Sequence, residues 1–368
     1  MNIVPFDFLT HLPAVLPELA LTLLAVILLA ADVGFIGIPP LAEDRKHLIA
    51  YIAGFGLLAI AIVPLSATPT NELMWGGMVR HDVLAQFFKV MVILAGAITC
   101  FMSASTRELG RKAEFYLIIV ICTLGASLLS ASSDLMMVFV ALETISIPLY
   151  VLASFKRGDL RSTESGVKYF LFGSFASVIM LYGFSLLYGF SGQTNLYAIA
   201  QFLTTDAFAG NAAPVLVSLV LVVVGFGFKI SAVPFHFWTP DVYEGAPTPV
   251  TAFVSVASKA ASFAVLMRFF GAVFPPEVII GSTAIKDFWV ALLALAAVVS
   301  MTLGNLVALQ QRNIKRLLAY SSIAQAGYTL VGVLAIQANS AAVQEQGIAS
   351  VAFYMIMYTF TNLLAFAI

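Results

Sequence analysis

Residues Val224–Lys259, VGFGFKISAVPFHFWTPDVYEGAPTPVTAFVSVASK, decide how the whole chain is read. An apolar helix runs in from about Val215 and carries a single lysine, Lys229. Five residues later stands Pro234. Proline has no N–H and its ring clashes with the carbonyl four residues back, so the Ile230 carbonyl loses its helical partner. His236, Trp238, Asp241, Tyr243 and Glu244 follow in a polar, Gly/Pro-rich segment. A second apolar helix begins at Pro249 and carries another lone lysine, Lys259. Two isolated cations at membrane depth on either side of a broken helix suit an ion pathway and are a costly way to build inert packing.

Composition sets the solvent. Of 368 residues, 61% are hydrophobic and 10% charged, whereas soluble domains sit near about 45–50% and 25%. The expected class is therefore an all-α polytopic membrane protein. A formal net charge of −1 argues against a nucleic-acid partner. Cys100 and Cys122 lie within apolar runs without paired spacing and read as small core residues. The first apolar segment lacks a basic n-region and a small-residue cleavage site, so it is read as a retained helix.

Eleven segments are long and apolar enough to span, near 13–32, 48–66, 83–104, 115–132, 134–155, 164–190, 214–235, 249–272, 287–309, 317–337 and 348–368. Met1–Leu12 is expected at the interface, and Gly192–Ala212 is expected to hold a short amphipathic helix around Tyr197–Leu203. With the N-terminus outside, eleven Lys/Arg fall on inward loops (Arg45, Lys46, Arg107, Arg111, Lys112, Lys156, Arg157, Arg161, Arg312, Lys315, Arg316). Only three (Arg80, Arg268, Lys286) fall on outward loops or helix ends. That asymmetry is the positive-inside pattern. The final residues, TNLLAFAI, look like mid-helix, so the sequence is expected to be a piece of a longer subunit.

A charge at a helix centre costs about 2.5–3.5 kcal/mol on insertion scales, so each one inside a span should face protein or water. Glu143 lies nine residues past Asp134 and five before Pro148, at mid-membrane. A buried carboxylate near a lysine can hold or release a proton as its neighbour's charge changes; it can equally be a structural ion pair locking two helices. Glu164 and Lys168 stand at i, i+4 in the favourable order, as a proton site or a plain boundary pair. Lys229 and Lys259 carry the strongest signal, because desolvated lysine gives up its proton readily. Roughly ten apolar or small residues on either side make snorkelling hard. His236 either relays protons or bonds carbonyls freed by the break. Lys89 and Glu18, near helix ends, are expected to snorkel, and topology alone accounts for Arg312, Lys315 and Arg316, though these could also meet lipid headgroups. The chain has no GxGxxG or Walker loop, no CxxC, and only four scattered histidines. No cofactor site is therefore expected on it, and any redox energy must come from partners.

The central stretch, with ALETISIPLYVLASF, ESGVKYFLFGS and GNLVALQQRNIKRLLAYSSIAQAGY in the same order, resembles the subunit-N family of the bacterial proton-pumping NADH:quinone oxidoreductase (respiratory complex I), the counterpart of mitochondrial subunit 2. More distantly it is similar to other antiporter-like subunits and to cation/proton antiporters. The resemblance implies fourteen helices in two inverted five-helix repeats, each with a discontinuous helix. Residues 1–114 would then form helices 1–3, 115–272 the first repeat, and 287–368 an incomplete second repeat. It gives Glu143, Lys229 and Lys259 roles in proton translocation and matches Glu164 and Lys168 to a pair at the start of the family's sixth helix, while His236 is a further candidate from its place at the break alone. It also implies partner membrane subunits, antiporter-like and small, and places NADH, FMN, iron–sulfur clusters and quinone on partners within the bacterial inner membrane. A cation/proton antiporter subunit, or a structural membrane subunit without transport, are the competing readings.

Overall fold

The computed structural model describes residues 5, 7–34, 41–42, 45–106, 109–205, 212–280, 282–337 and 340–368; Arg107 and residues 206–211 of the expected surface segment lie outside these. Among the described residues eleven helices are long and apolar enough to cross a membrane, at the places the hydropathy assigns. The chain is an all-α polytopic bundle: α1 (Phe8–Val33), α2 (Leu48–Ile60), α3 (Val83–Ala104), α4 (Ala113–Ala131), α5 (Leu135–Ala153), α6 (Leu160–Ser191), α7 (Leu196–Leu203), α8 (Ala213–Ile230), α9 (Trp238–Gly245), α10 (Thr248–Phe253), α11 (Lys259–Val273), α12 (Ile285–Ala308), α13 (Ile314–Ala335) and α14 (Ala341–Ala367). Helix starts are written in the sequence as Asp or Asn caps. The side chains of Asp7, Asp82, Asp134, Asp159, Asn195 and Asn313 each accept from backbone N–H groups of the first turn.

Three details depart from the sequence reading. Phe8–Leu12 belongs to α1 and not to an interfacial segment, because Asp7 caps the helix there. Two small antiparallel hairpins, β1 (Glu72–Met74) with β2 (Val79–His81) and β3 (Ile279–Ile280) with β4 (Thr283–Ala284), close two interhelical loops. The polar segment after Pro234, which carries no helical assignment in the sequence reading, re-forms a helix, α9.

The Thr248–Val273 span is the most enclosed in the bundle and is interrupted by a π turn at Val254–Ser258, immediately before Lys259. Such turns re-aim the side chain that follows and recur at functional sites. Facing it, α12 and α13 pack closely. A Cβ on Gly304 would come within 2.6 Å of the Ala324 backbone nitrogen, and one on Gly327 within 2.8 Å of the Ala297 carbonyl oxygen. Small residues at these crossings let the backbones approach, as membrane helix pairs require. This close pairing sets the position of Ser322 on α13.

Candidate functional site

The break between α8 and α9 is built locally. Ser231 adopts a left-handed conformation (φ 62°) that ends α8. The Ala232 N–H reaches back to the Gly227 carbonyl at 2.9 Å. Trp238 Nε1 donates to the Phe228 carbonyl at 3.0 Å, and the Val233 N–H is taken by Ser300 Oγ of α12 at 2.9 Å. Several of the polar groups at the interruption thus find partners inside protein, as irregular backbone at membrane depth requires.

Lys229, in the last turn of α8, is buried. Its ammonium donates to Ser146 Oγ of α5 and lies 5.9 Å from the ring centroids of Tyr150 and Phe228, near the outer limit for a cation–π contact. Tyr150 belongs to an aromatic wall in which Tyr169 stacks on Trp238 with centroids 4.5 Å apart. Glu143 stands one turn from Ser146 on α5. Among the described residues it forms no ion pair with Lys229, whose ammonium bonds Ser146 one turn further along the same helix. It is half-buried, not enclosed, and among the described residues no hydrogen bond reaches its Oε1.

Lys259 is 2% exposed and has hydroxyl and carbonyl oxygens as partners, not a carboxylate. Its Nζ donates to the Ser322 carbonyl at 3.0 Å and to Ser322 Oγ. Ser322 Oγ in turn lies 3.1 Å from the Tyr243 hydroxyl of α9 and 2.7 Å from the Tyr358 hydroxyl of α14.

A third cluster sits at the end of the bundle that carries the α5–α6 loop. Glu164 and Lys168 pair at 2.7 Å as their spacing requires. Lys168 also meets Asp241 at 2.6 Å, and Arg316 bridges Asp241 at 2.7 Å and Glu244 at 3.0 Å. Lys315 donates to the Ala246 carbonyl at 2.6 Å. Burial pushes the Asp241 carboxyl up, but hydrogen bonds from Lys168 and Arg316 outweigh it and hold the group below the usual carboxylate range. Topology alone therefore does not account for Lys315 and Arg316: they tie α13 to the second half of the broken helix. His236 stands apart from all three clusters, half-buried in the connection between α8 and α9.

Three expected positions move inward. Lys89 and Glu18 do not snorkel; they form a buried ion pair at 2.9 Å, completed by Ser127 and the Ala14 carbonyl. Arg268, placed by sequence at an outward helix end, is 4% exposed and holds Asp82 through two bonds of 2.7 and 2.9 Å. Cys100 and Cys122 are free, buried core residues. Sequence reasoning missed Ser146, Ser322 and Tyr358. The signal was present as polar residues at helical spacing, Ser322, Gln325 and Thr329 on α13 and Tyr354 and Tyr358 on α14, but in apolar helices serines and tyrosines carry no charge to draw the eye.

A family model described as NADH:quinone oxidoreductase/Mrp antiporter, transmembrane, matches residues 132–368. The NADH-quinone oxidoreductase subunit N 2 of Chloroherpeton thalassium is 40% identical over 365 residues, covering 97% of this chain and 68% of its own length. The NADH-quinone oxidoreductase subunit N of Trichlorobacter lovleyi is 41% identical over 360 residues, covering 97% of this chain and 69% of its own. Among solved structures, a chain of respiratory complex I from Thermus thermophilus superposes with a TM-score of 0.74 at 33% identity, over 95% of this chain and 69% of that one. The chain spans about two thirds of the length of these relatives.

Proposed function

Because the chain belongs to the NADH:quinone oxidoreductase/Mrp antiporter transmembrane family, we propose that it is the antiporter-like subunit N of a proton-translocating NADH:quinone oxidoreductase. In this reading it contributes no redox centre. NADH, FMN, iron–sulfur clusters and quinone belong to partner subunits, and this chain moves protons through buried Glu and Lys residues in the bacterial inner membrane. Residues 115–272 act as the first inverted repeat and 287–368 as the start of the second, with residues 1–114 as the three preceding helices and the N-terminus outside.

The observation that carries the proposal is the placement of Lys229 and Lys259. Both are buried in membrane-length helices, and each donates to a serine hydroxyl where a locked structural pair would have a carboxylate. An ammonium held this way can lose its proton without leaving a buried anion behind, unlike one half of a tight ion pair. Glu143, near Lys229 but not bonded to it, supplies a charge whose protonation changes the lysine's affinity without competing for its hydrogen bond. Electron transfer in partner subunits would change the charge beside this row, and Lys259 would pass the proton on. The scale is adequate: one elementary charge across 100 mV is about 2.3 kcal/mol, and one pKa unit is about 1.36 kcal/mol. Glu164, Lys168 and Asp241 form a charged approach at the inner face, and His236 is a secondary candidate at the break.

Lys229→Ala in the assembled complex, reconstituted into vesicles, tests the reading. The expected result is normal assembly with a marked fall in protons moved per electron. Wild-type coupling in that variant would overturn it, and NADH-independent sodium/proton exchange by the chain alone would redirect it to an antiporter.

A further inference from the structure

We propose that Ser322 is a proton-relay residue for Lys259 and that Tyr358 receives the proton from it; the inference rests on the translocation reading above. The hub consists of four side chains from four elements: Lys259 of α11, Ser322 of α13, Tyr243 of α9 and Tyr358 of α14. Serine has one hydrogen to donate and two lone pairs, and here it meets three partners. With Lys259 charged, the serine oxygen accepts from the ammonium, gives its single hydrogen to one phenol and accepts from the other. With Lys259 neutral, the amine lone pair can take the serine hydrogen, and both phenols can donate to the serine oxygen. The direction of the hydroxyl chain therefore follows the protonation state of the lysine.

Exposure picks the outlet. Tyr243 is 0% exposed and Ser322 1%, whereas Tyr358 retains 7%, so the α14 phenol is the least enclosed member of the hub. One turn away along the same two helices, Tyr354 donates to Gln325. Thr329 and Tyr354 then line a cavity of about 380 Å³ between α13 and α14, which Gln346 and Ser350 also border. A proton leaves Lys259 Nζ and bonds to Ser322 Oγ, while the serine's own hydrogen passes to the Tyr358 oxygen. The phenol's hydrogen passes to a water molecule, leaving a neutral amine, two intact hydroxyls and a hydronium. No hydroxyl carries a net charge, so neither serine nor tyrosine has to ionise in an apolar interior. The π turn before Lys259 and the close α12–α13 packing hold the donor and the relay in register.

The experiment uses the complete complex in vesicles, comparing Ser322→Ala, Ser322→Thr, Tyr358→Phe and Lys259→Ala by proton release after a pulse of NADH. Ser322→Ala and Tyr358→Phe are expected to slow the release step about 100-fold, within the range for losing a positioned proton-transfer group. Ser322→Thr, which keeps the hydroxyl, is expected to restore it. A merely packing serine would be replaced by alanine without this loss. If Ser322→Ala and Tyr358→Phe release protons at the wild-type rate while Lys259→Ala is impaired, the relay is overturned and the lysine reading stands. If Lys259→Ala is also unimpaired, the translocation reading itself falls. Should Ser322→Ala not assemble, Tyr358→Phe, which removes one oxygen and keeps the ring, decides alone.

Discussion

Single side chains show how a charge survives in this bundle. Lys89 and Glu18 are 71 positions apart, so no local spacing links them, and each alone looks like a residue reaching for the surface. Folding brings α1, α3 and α4 together so that the pair, Ser127 and the Ala14 carbonyl satisfy one another with both charged side chains about 5–6% exposed. Removing one member leaves an uncompensated buried charge, whereas replacing both with apolar residues does not. Glu18→Leu or Lys89→Met alone is therefore expected to destabilise the chain by about 3–5 kcal/mol, and the double substitution to recover most of that. Thermal unfolding of the purified subunit in detergent measures it. Additive losses in the double variant would show that the pair is not coupled. Among the described residues Lys229 and Lys259 donate to serine oxygens and not to a carboxylate, and the proposed proton role rests on that contrast.

At the scale of elements, the sequence made the broken helix legible through Pro234 but not the way the break is sealed. The left-handed Ser231, the Trp238–Phe228 bond and the Ser300 contact depend on where distant helices lie. The same holds for the tether between α3 and α11: Asp82 could be read as a helix cap, but its second role, holding buried Arg268, could not. Burial pushes the Asp82 carboxyl up, yet the Arg268 guanidinium outweighs burial and holds it below its ordinary value. A carboxylate with a depressed folded pKa contributes stability that is present above its unfolded value and is lost as pH falls through the folded one. Asp82→Asn is thus expected to cost about 3–5 kcal/mol at neutral pH by leaving Arg268 unpaired. The gap from the native chain should hold down to pH ~4, near the unfolded aspartate value, and narrow below it. Unfolding midpoints of both chains across pH 3–7 would show this; a gap that stays constant throughout would mean that the ion pair contributes nothing.

For the whole molecule, hydropathy places the eleven spans because lipid leaves a chain no choice but internally bonded helices. What it could not place were relations across the bundle, such as Ser322 against Lys259 or Arg316 against Asp241, since helix–helix partners in an apolar medium are chosen by packing rather than by pattern. Orientation is a different matter, because it is set by loop charge during insertion and so is carried by the sequence alone. In the proposed orientation, eleven basic residues against three put the α5–α6 and α12–α13 connections on the cytoplasmic side and the β1–β2 hairpin on the outer side. Both native cysteines are buried and should stay unlabelled by an impermeant maleimide, which gives a clean background. Thr70→Cys, beside the hairpin, and Gln310→Cys, after α12, replace exposed uncharged residues. Thr70→Cys is expected to label in right-side-out vesicles and Gln310→Cys only in inverted ones. The reverse pattern would put the Lys168–Asp241–Arg316 cluster on the outer face, and the proposed proton path would then have to run in the opposite direction through Lys259 and Ser322.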